Sequence, residues 1–260
     1  MSVRVPPYVE GHALLRDRCV LVTAAAGTGI GFAVARRCAE EGAQVMISDI
    51  HERRLAEAVA ELDKISGSRT PSRLCNVTQE EDVRALVDSA IDELGRIDVL
   101  INNAGLGGTA NVVDMTDDQW SAVIDTTLTG TFRMTRAALP HMIERGSGVI
   151  VNNASVLGWR AQVGQSHYAA AKAGVMALTR CTALEVAESG VRINAVAPSL
   201  ATHPFLSKVM PQEVLDELVE REAYGRGAEP WEVANVMVFL ASDYASYMTG
   251  ECVSVSSQRA

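Results

Sequence analysis

From Cys19 to Val255, short runs rich in β-branched residues alternate with stretches whose apolar residues recur at helical spacing. That alternation leaves a chain few options. A strand lying parallel to the one before it needs a crossover long enough to hold a helix, and helices so placed cover both faces of the sheet. The pattern places strands at Cys19–Thr23, Gln44–Asp49, Arg73–Cys75, Val99–Asn102, Val149–Asn153, Arg192–Ala197 and Cys252–Val255, seven in all. Thr78 with Glu81 and Thr116 with Gln119 fit the capping box that opens a helix, and Ser166 is placed as an N-cap. Gly42 and Gly95 stand where helices turn back into strands. At 260 residues this fits one α/β domain over residues 17–260, preceded by an arm over residues 1–16.

With 48% apolar and 21% charged residues, the chain can bury a large core. A formal charge of −9 argues against nucleic acid or an acidic membrane as partner, since both require a basic face, and favours a small molecule. The start MSVRVPPYVEGHALLRDR has no apolar segment of the secretory kind, and no stretch reaches the roughly 18 apolar residues of a membrane span. The five cysteines Cys19, Cys38, Cys75, Cys181 and Cys252 are odd in number and mostly embedded in apolar stretches, which reads as free thiols in a reducing cytoplasm.

The first strand runs into Ala24-Ala25-Ala26-Gly27-Thr28-Gly29-Ile30-Gly31, with a helix expected from near Phe32. Glycines let the backbone approach a pyrophosphate, whose charge the free N–H groups and positive dipole end of that helix then stabilise. Gly27, Gly29, Ile30 and Gly31 are the candidate contacts, the other reading being a tight turn with no ligand. Asp49 closes the second strand about 20 residues further on, where a carboxylate accepts hydrogen bonds from ribose hydroxyls and repels a 2′-phosphate. The expected cofactor is therefore NAD rather than NADP, although His51, Arg53 and Arg54 are placed to accommodate a phosphate.

Tyr168 and Lys172, four apart on a predicted helix, share a face. A free phenol titrates near ~10, and an adjacent ammonium favours the phenolate, so the pair is expected to supply a base near neutral pH. Tyr168 can then exchange a proton with a hydroxyl or carbonyl oxygen while a nicotinamide exchanges hydride with the carbon. Ser155, at the end of the fifth strand, is placed to hydrogen-bond the same oxygen. Alone, a Tyr-x-x-x-Lys pair is usually a core tyrosine with an exposed lysine. Here it is accompanied by Asn102-Asn103-Ala104-Gly105, by Asn152-Asn153-Ala154-Ser155 and by Arg192-Ile193-Asn194-Ala195-Val196-Ala197-Pro198.

Together with the glycine turn, these motifs resemble the short-chain dehydrogenase/reductase family over residues 17–255. The resemblance implies a single doubly wound Rossmann domain with Ser155 orienting substrate, Tyr168 as general acid/base and Lys172 holding the nicotinamide ribose. It further implies that Asn103, Ala104 and Gly105 border the cofactor, that Asn76 and Val77 flank adenine, and that Pro198 and Ser199 meet the carboxamide. It assigns no metal, and it implies a homotetramer built through helices around Asp118–Ile143 and Ser166–Ala187.

Four positions depart from the family pattern. Ala24-Ala25 stand where the glycine loop usually has Thr-Gly, Thr23 being displaced by one inserted residue; Thr127 replaces an asparagine that supports a water relay to the lysine; Pro198-Ser199 replaces Pro-Gly, with the usual threonine shifted to Thr202 and His203 in its place; and Ser256-Ser257-Gln258 replaces Asp-Gly-Gly. A substrate lid is expected near 200–226, where Phe205, Leu206, Val209, Met210, Val214 and Leu215 suit either a greasy substrate or packing of the lid on its own core. Trp159 and Arg160 are candidates for recognising a ring and an anionic or thioester tail, the alternative being a packed Trp and an exposed Arg. The stretches AAAGTGIG, NASVLGWRAQ and SHYAAAKAGVMALTRC resemble an actinobacterial branch of the family acting on hydroxylated methyl-hexahydroindanone carboxyl-CoA intermediates, the remnant of steroid rings C and D. That resemblance implies oxidation or reduction at a ring secondary alcohol or ketone, with Arg160, His203 and Lys208 as candidate contacts. A 3-oxoacyl thioester reductase is the enzymatic alternative, and an NAD-binding sensor or scaffold without turnover is the non-enzymatic one.

Overall fold

A computed structural model of the chain describes residues 3–202 and 212–258. The expected lid residues His203, Phe205, Leu206, Lys208, Val209 and Met210 lie outside the described residues. The strands are β1 (Cys19–Val22), β2 (Gln44–Asp49), β3 (Ser72–Leu74), β4 (Val99–Asn102), β5 (Gly148–Asn153), β6 (Val191–Pro198) and β7 (Cys252–Val255). Between them run α1 (Ile30–Glu40), α2 (Glu52–Ser66), α3 (Glu80–Leu94), α4 (Asp117–Ile124), α5 (Gly130–Glu144), α6 (Ser166–Val186), α7 (Gln212–Arg221) and α8 (Pro230–Ala241). All neighbouring strands are parallel, in the order β3-β2-β1-β4-β5-β6-β7. This is the seven-stranded, helix-covered sheet that the alternation predicts.

Successive side chains of a strand point to opposite faces, so a sheet covered on both sides buries both sets. Val20, Val22, Val99 and Ile101 pack with Val34 of α1, Leu55 and Leu62 of α2 and Met237 of α8. Cys19, Leu21, Leu100 and Ile150 pack the other way, with Leu86 of α3, Met134 and Met142 of α5 and Val186 of α6. The order reverses between β1 and β4. In open α/β sheets, ligands bind outside the carboxyl ends of the strands at such a reversal.

Helix starts follow local hydrogen bonding more closely than the pattern allowed. Thr116 and Gln119 form the predicted box: Thr116 Oγ1 accepts from the Gln119 N–H at 3.2 Å and Gln119 Oε1 from the Thr116 N–H at 3.0 Å. Thr116→Ala is expected to cost about 1 kcal/mol, readable as a lower urea midpoint at unchanged slope. Thr78 does not cap α3, whose N-cap is Gln79; its N–H and hydroxyl both donate to Asn76 Oδ1, a turn that competes with the cap. Ser166 is the first helical residue of α6 and Gln165 its N-cap, so the predicted cap is displaced by one residue. Helix α1 opens at Ile30, two residues before Phe32. Gly42 and Gly95 are both left-handed, as their placement requires.

The N-terminal arm is fastened to the sheet's helical cover. Arg37 of α1 donates to the carbonyls of Val9 and Glu10, Glu41 accepts from the N–H groups of His12 and Leu14, and the Arg37–Glu41 ion pair at 2.6 Å is almost wholly buried. Tyr8 meets Trp231 of α8 edge-on, with ring centroids 5.3 Å apart. Of the cysteines, Cys19, Cys38 and Cys75 are buried and Cys252 is half-buried, whereas Cys181 is exposed on α6; none is paired. No helix among the described residues is long and apolar enough to cross a membrane.

Candidate active site

The carboxyl ends of β1, β4 and β5 deliver three loops to one edge of the sheet, and α6 rises beside them. After β1 the glycine loop turns sharply. Ala24 occupies the left-handed region at φ +50°, a conformation that costs an L-residue about 1–2 kcal/mol. A Cβ on Gly31 would come within 2.2 Å of the Ala24 carbonyl oxygen and 2.4 Å of Asn103 Nδ2, so only glycine fits there. Around Gly27 and Gly29 nothing lies within 4 Å of an added Cβ. The first turn of α1 has neither a capping side chain nor an acidic residue. An open cradle at an uncapped, unneutralised helix N-terminus fits the phosphates of a dinucleotide.

Asp49 ends β2 beside that cradle and is buried. Its Oδ2 accepts from the Ala26 N–H at 3.2 Å and its Oδ1 from the His51 N–H at 3.0 Å, tying the glycine loop to β2. Burial raises its pKa, opposed by the Ala26 hydrogen bond and by Arg54. Asn76 follows β3 with its N–H held by Asp82, and Val77 is buried against Gly130. Asn103, Ala104 and Gly105 leave β4 with the Asn103 and Ala104 N–H groups donating to Thr23 Oγ1 at 3.0 and 3.2 Å.

Ser155 lies just past β5, buried, and its Oγ accepts the Leu157 N–H at 3.2 Å, which caps a short helical turn over Val156–Gly158. The same hydroxyl hydrogen-bonds Tyr168. Burial nevertheless pushes the Tyr168 phenol up to about 12, the Ser155 bond only partly opposing it. Lys172 is buried, with Nζ donating to the Asn153 carbonyl at 2.5 Å and standing 5.5 Å from the Tyr168 ring centroid. Burial pulls Lys172 down to about 8. Burial is the largest cause at both groups, and it favours the neutral form of each.

Thr127 is fully buried in a π-helical turn, Asp125–Thr129, between α4 and α5. Its hydroxyl accepts from the Leu106 N–H at 3.0 Å and donates to the Leu106 carbonyl at 3.2 Å, so it holds the loop after β4 and makes no direct bond to Lys172. Gly105 separates the two: a Cβ there would lie 3.5 Å from Lys172 Nζ and 3.7 Å from Thr127 Oγ1. Pro198 ends β6, and the Ser199 N–H donates to the Val255 carbonyl. Trp159 is half exposed beyond Ser155, whereas Arg160 donates to Gln258 Oε1 at 2.6 Å, tying it to the altered C-terminal segment. Leu200 and Ser257 both donate to buried Glu222, a carboxylate that no local motif marks because its partners lie 22 and 35 residues away.

A parallel sheet with a glycine cradle at its reversal, and a Ser, Tyr and Lys gathered beside it, defines a nicotinamide-dependent oxidoreductase of the short-chain dehydrogenase/reductase family, and the chain belongs to that family. The family model described as Enoyl-(Acyl carrier protein) reductase matches residues 24–257. The chain is 61% identical, over 97% of each chain, to the (5R,7aS)-5-hydroxy-7a-methyl-1-oxo-2,3,5,6,7,7a-hexahydro-1H-indene-carboxyl-CoA reductase of Mycobacterium tuberculosis. It is 43% identical to the cis-4-hydroxycyclohexanecarboxylate dehydrogenase of Sinomonas cyclohexanicum, covering 92% of this chain and 95% of that one. The crystal structure of a short chain dehydrogenase from Mycobacterium smegmatis superposes with a TM-score of 0.88 at 56% identity, covering 99% of both chains.

Proposed function

We propose that this protein interconverts a ring secondary alcohol and its ketone with NAD as cofactor, on a CoA thioester derived from steroid rings C and D. The observation that carries the reading is the placement of Ser155, Tyr168 and Lys172 beside the glycine cradle, in a chain 61% identical to an indene-carboxyl-CoA reductase. The glycine loop and the first turn of α1 would hold the dinucleotide phosphates, Asp49 the adenosine ribose, Asn76 and Val77 the adenine, and Lys172 the nicotinamide ribose. Asn103, Ala104, Gly105, Pro198 and Ser199 would complete the cofactor wall. When bound, the nicotinamide gives or takes a hydride at the substrate carbon.

Tyr168 keeps its proton at neutral pH, because burial holds its pKa at about 12. In the reductive direction it gives that proton to the ketone oxygen, which Ser155 orients, and the charge left on the phenol is stabilised by the Lys172 ammonium. Trp159, Arg160 and His203 are the proposed substrate contacts, with residues 200–226 as the lid of a single domain spanning 17–260. Exposed Trp120, Phe132 and Leu184 on α4, α5 and α6 support a homotetramer assembled through those helices. The unpaired thiols suit a cytoplasmic location.

The test is NADH absorbance with indane-type CoA thioesters, their free acids and 3-oxoacyl thioesters, for wild type and Tyr168→Phe. Turnover of the indane thioesters at a kcat/KM well above that for 3-oxoacyl thioesters is expected. The reverse ranking assigns a 3-oxoacyl thioester reductase, and dinucleotide binding without turnover of any substrate leaves a sensor. Asp49→Ala is expected to raise the NADP/NAD ratio of kcat/KM by at least about tenfold, the value of one charge-assisted contact to a ribose hydroxyl. An unaltered ratio would remove Asp49 from cofactor selection.

A further inference from the structure

The hydrogen bonds beneath the site run in one unbroken line from the phosphate loop to Lys172, and its central member is a residue to which no role has been attached. Asn103 Nδ2 faces two backbone carbonyls, Ala24 at 2.9 Å and Thr23 at 3.3 Å. Carbonyls only accept, so the amide group of Asn103 must point at them and its Oδ1 must point away. That Oδ1 accepts from Asn153 Nδ2 at 2.9 Å, which in turn orients the Asn153 side chain and leaves its own Oδ1 buried without a partner among the described residues. The main-chain carbonyl of the same Asn153 accepts from Lys172 Nζ. One residue thus touches, through its two polar ends, the anchor of the glycine loop and the ammonium of the acid/base pair.

The segment it steadies is under strain. Ala24 is held left-handed, and its carbonyl is the atom that Asn103 grips; such conformations persist where the surroundings over-determine them. We propose that Asn153 is a positioning residue that couples the glycine loop to Lys172, its free Oδ1 being the acceptor for a donor on the cofactor. The coupling sets how tightly the dinucleotide binds. It rests on the cofactor reading above, since without a dinucleotide in the cradle there is nothing for the line of bonds to align.

Asn153→Val places a good strand former there and leaves the carbonyl that Lys172 uses, while removing the side-chain donor and acceptor. Fluorescence titrations with NADH and with NADPH, well below the unfolding temperature, are expected to show binding weakened about tenfold, as for one or two lost neutral hydrogen bonds. At saturating cofactor, kcat on a substrate that wild type turns over should stay within about threefold, so that the loss falls on cofactor KM; a general loosening of the strand would lower kcat as well. In a double-mutant cycle with Asn103→Ala, the double variant should bind no more than about twofold worse than the weaker single variant, because the two side chains act as a unit. Asn153→Ser, too short to reach Asn103, carries the same test if the valine variant does not fold. Binding by Asn153→Val within twofold of wild type, or effects that simply multiply in the double variant, overturns the coupling while leaving the cofactor reading standing. Wild type that binds neither dinucleotide overturns both.

Discussion

Tyr168→Phe is expected to lower kcat by about 10³-fold, within the 10²–10⁴-fold range of a positioned acid/base group, while NADH binds as in wild type. The substitution removes one oxygen and leaves the ring against which Lys172 stands, 5.5 Å from its centroid. Nothing else among the described residues replaces the lost proton: Ser155 is a neutral hydroxyl already accepting the Leu157 N–H, and Lys172 is turned to the Asn153 carbonyl. Single-turnover measurements at saturating NADH separate the chemical step from binding. Activity within tenfold of wild type would remove Tyr168 from the proton-transfer step.

Lys172→Met is expected to abolish most activity and, at the same time, to stabilise the protein at pH 7. A buried ammonium is costly, which is why burial brings its pKa down to about 8 from an ordinary 10.5. Between those two values the unfolded chain binds a proton that the folded chain does not, so the lysine's contribution to stability improves as pH rises through that window. Below about pH 8 both states are protonated and the penalty is present in full. Methionine fills a similar volume without charge, so the gain should be on the order of 3 kcal/mol at pH 7 and should vanish by about pH 10.5. Tyr168 acts oppositely above pH 10, where the unfolded phenol ionises before the folded one, but it is common to both proteins and cancels in the comparison. Urea unfolding of the cofactor-free proteins at pH 7 and pH 10.5 checks the sign. A variant less stable than wild type at pH 7 would show that the Lys172–Asn153 hydrogen bond outweighs the desolvation it accompanies. A lysine kept at a net cost to the fold is what a functional site requires.

The parallel sheet and the Tyr168–Lys172 face were both legible in the residues. Strand alternation and helical repeat are properties of the chain within a few positions, as at Val20 to Val22, where successive side chains enter opposite cores. The cradle was legible for a similar reason: Gly31 can only be glycine because its own backbone passes Ala24. The cap of α6 was misplaced by one residue because serine is a good N-cap in general, whereas here Gln165 is anchored by donating to Gly108 and Thr109, more than 50 residues away. The bond from Arg160 to Gln258, 98 residues off, could not be read from local order at all.

Tyr168 and Lys172 show where that boundary runs. Their four-residue spacing places them on one face of any helix, and no tertiary contact is needed to know it. Their protonation is another matter: burial pushes the phenol up to about 12 and the ammonium down to about 8, and spacing along a helix says nothing of burial. The same holds for the bond between Asn103 and Asn153, 50 residues apart in the chain. Steric and periodic rules act between near neighbours and are written in local order, whereas desolvation and hydrogen-bond partnership sum over everything the fold brings within a few ångströms.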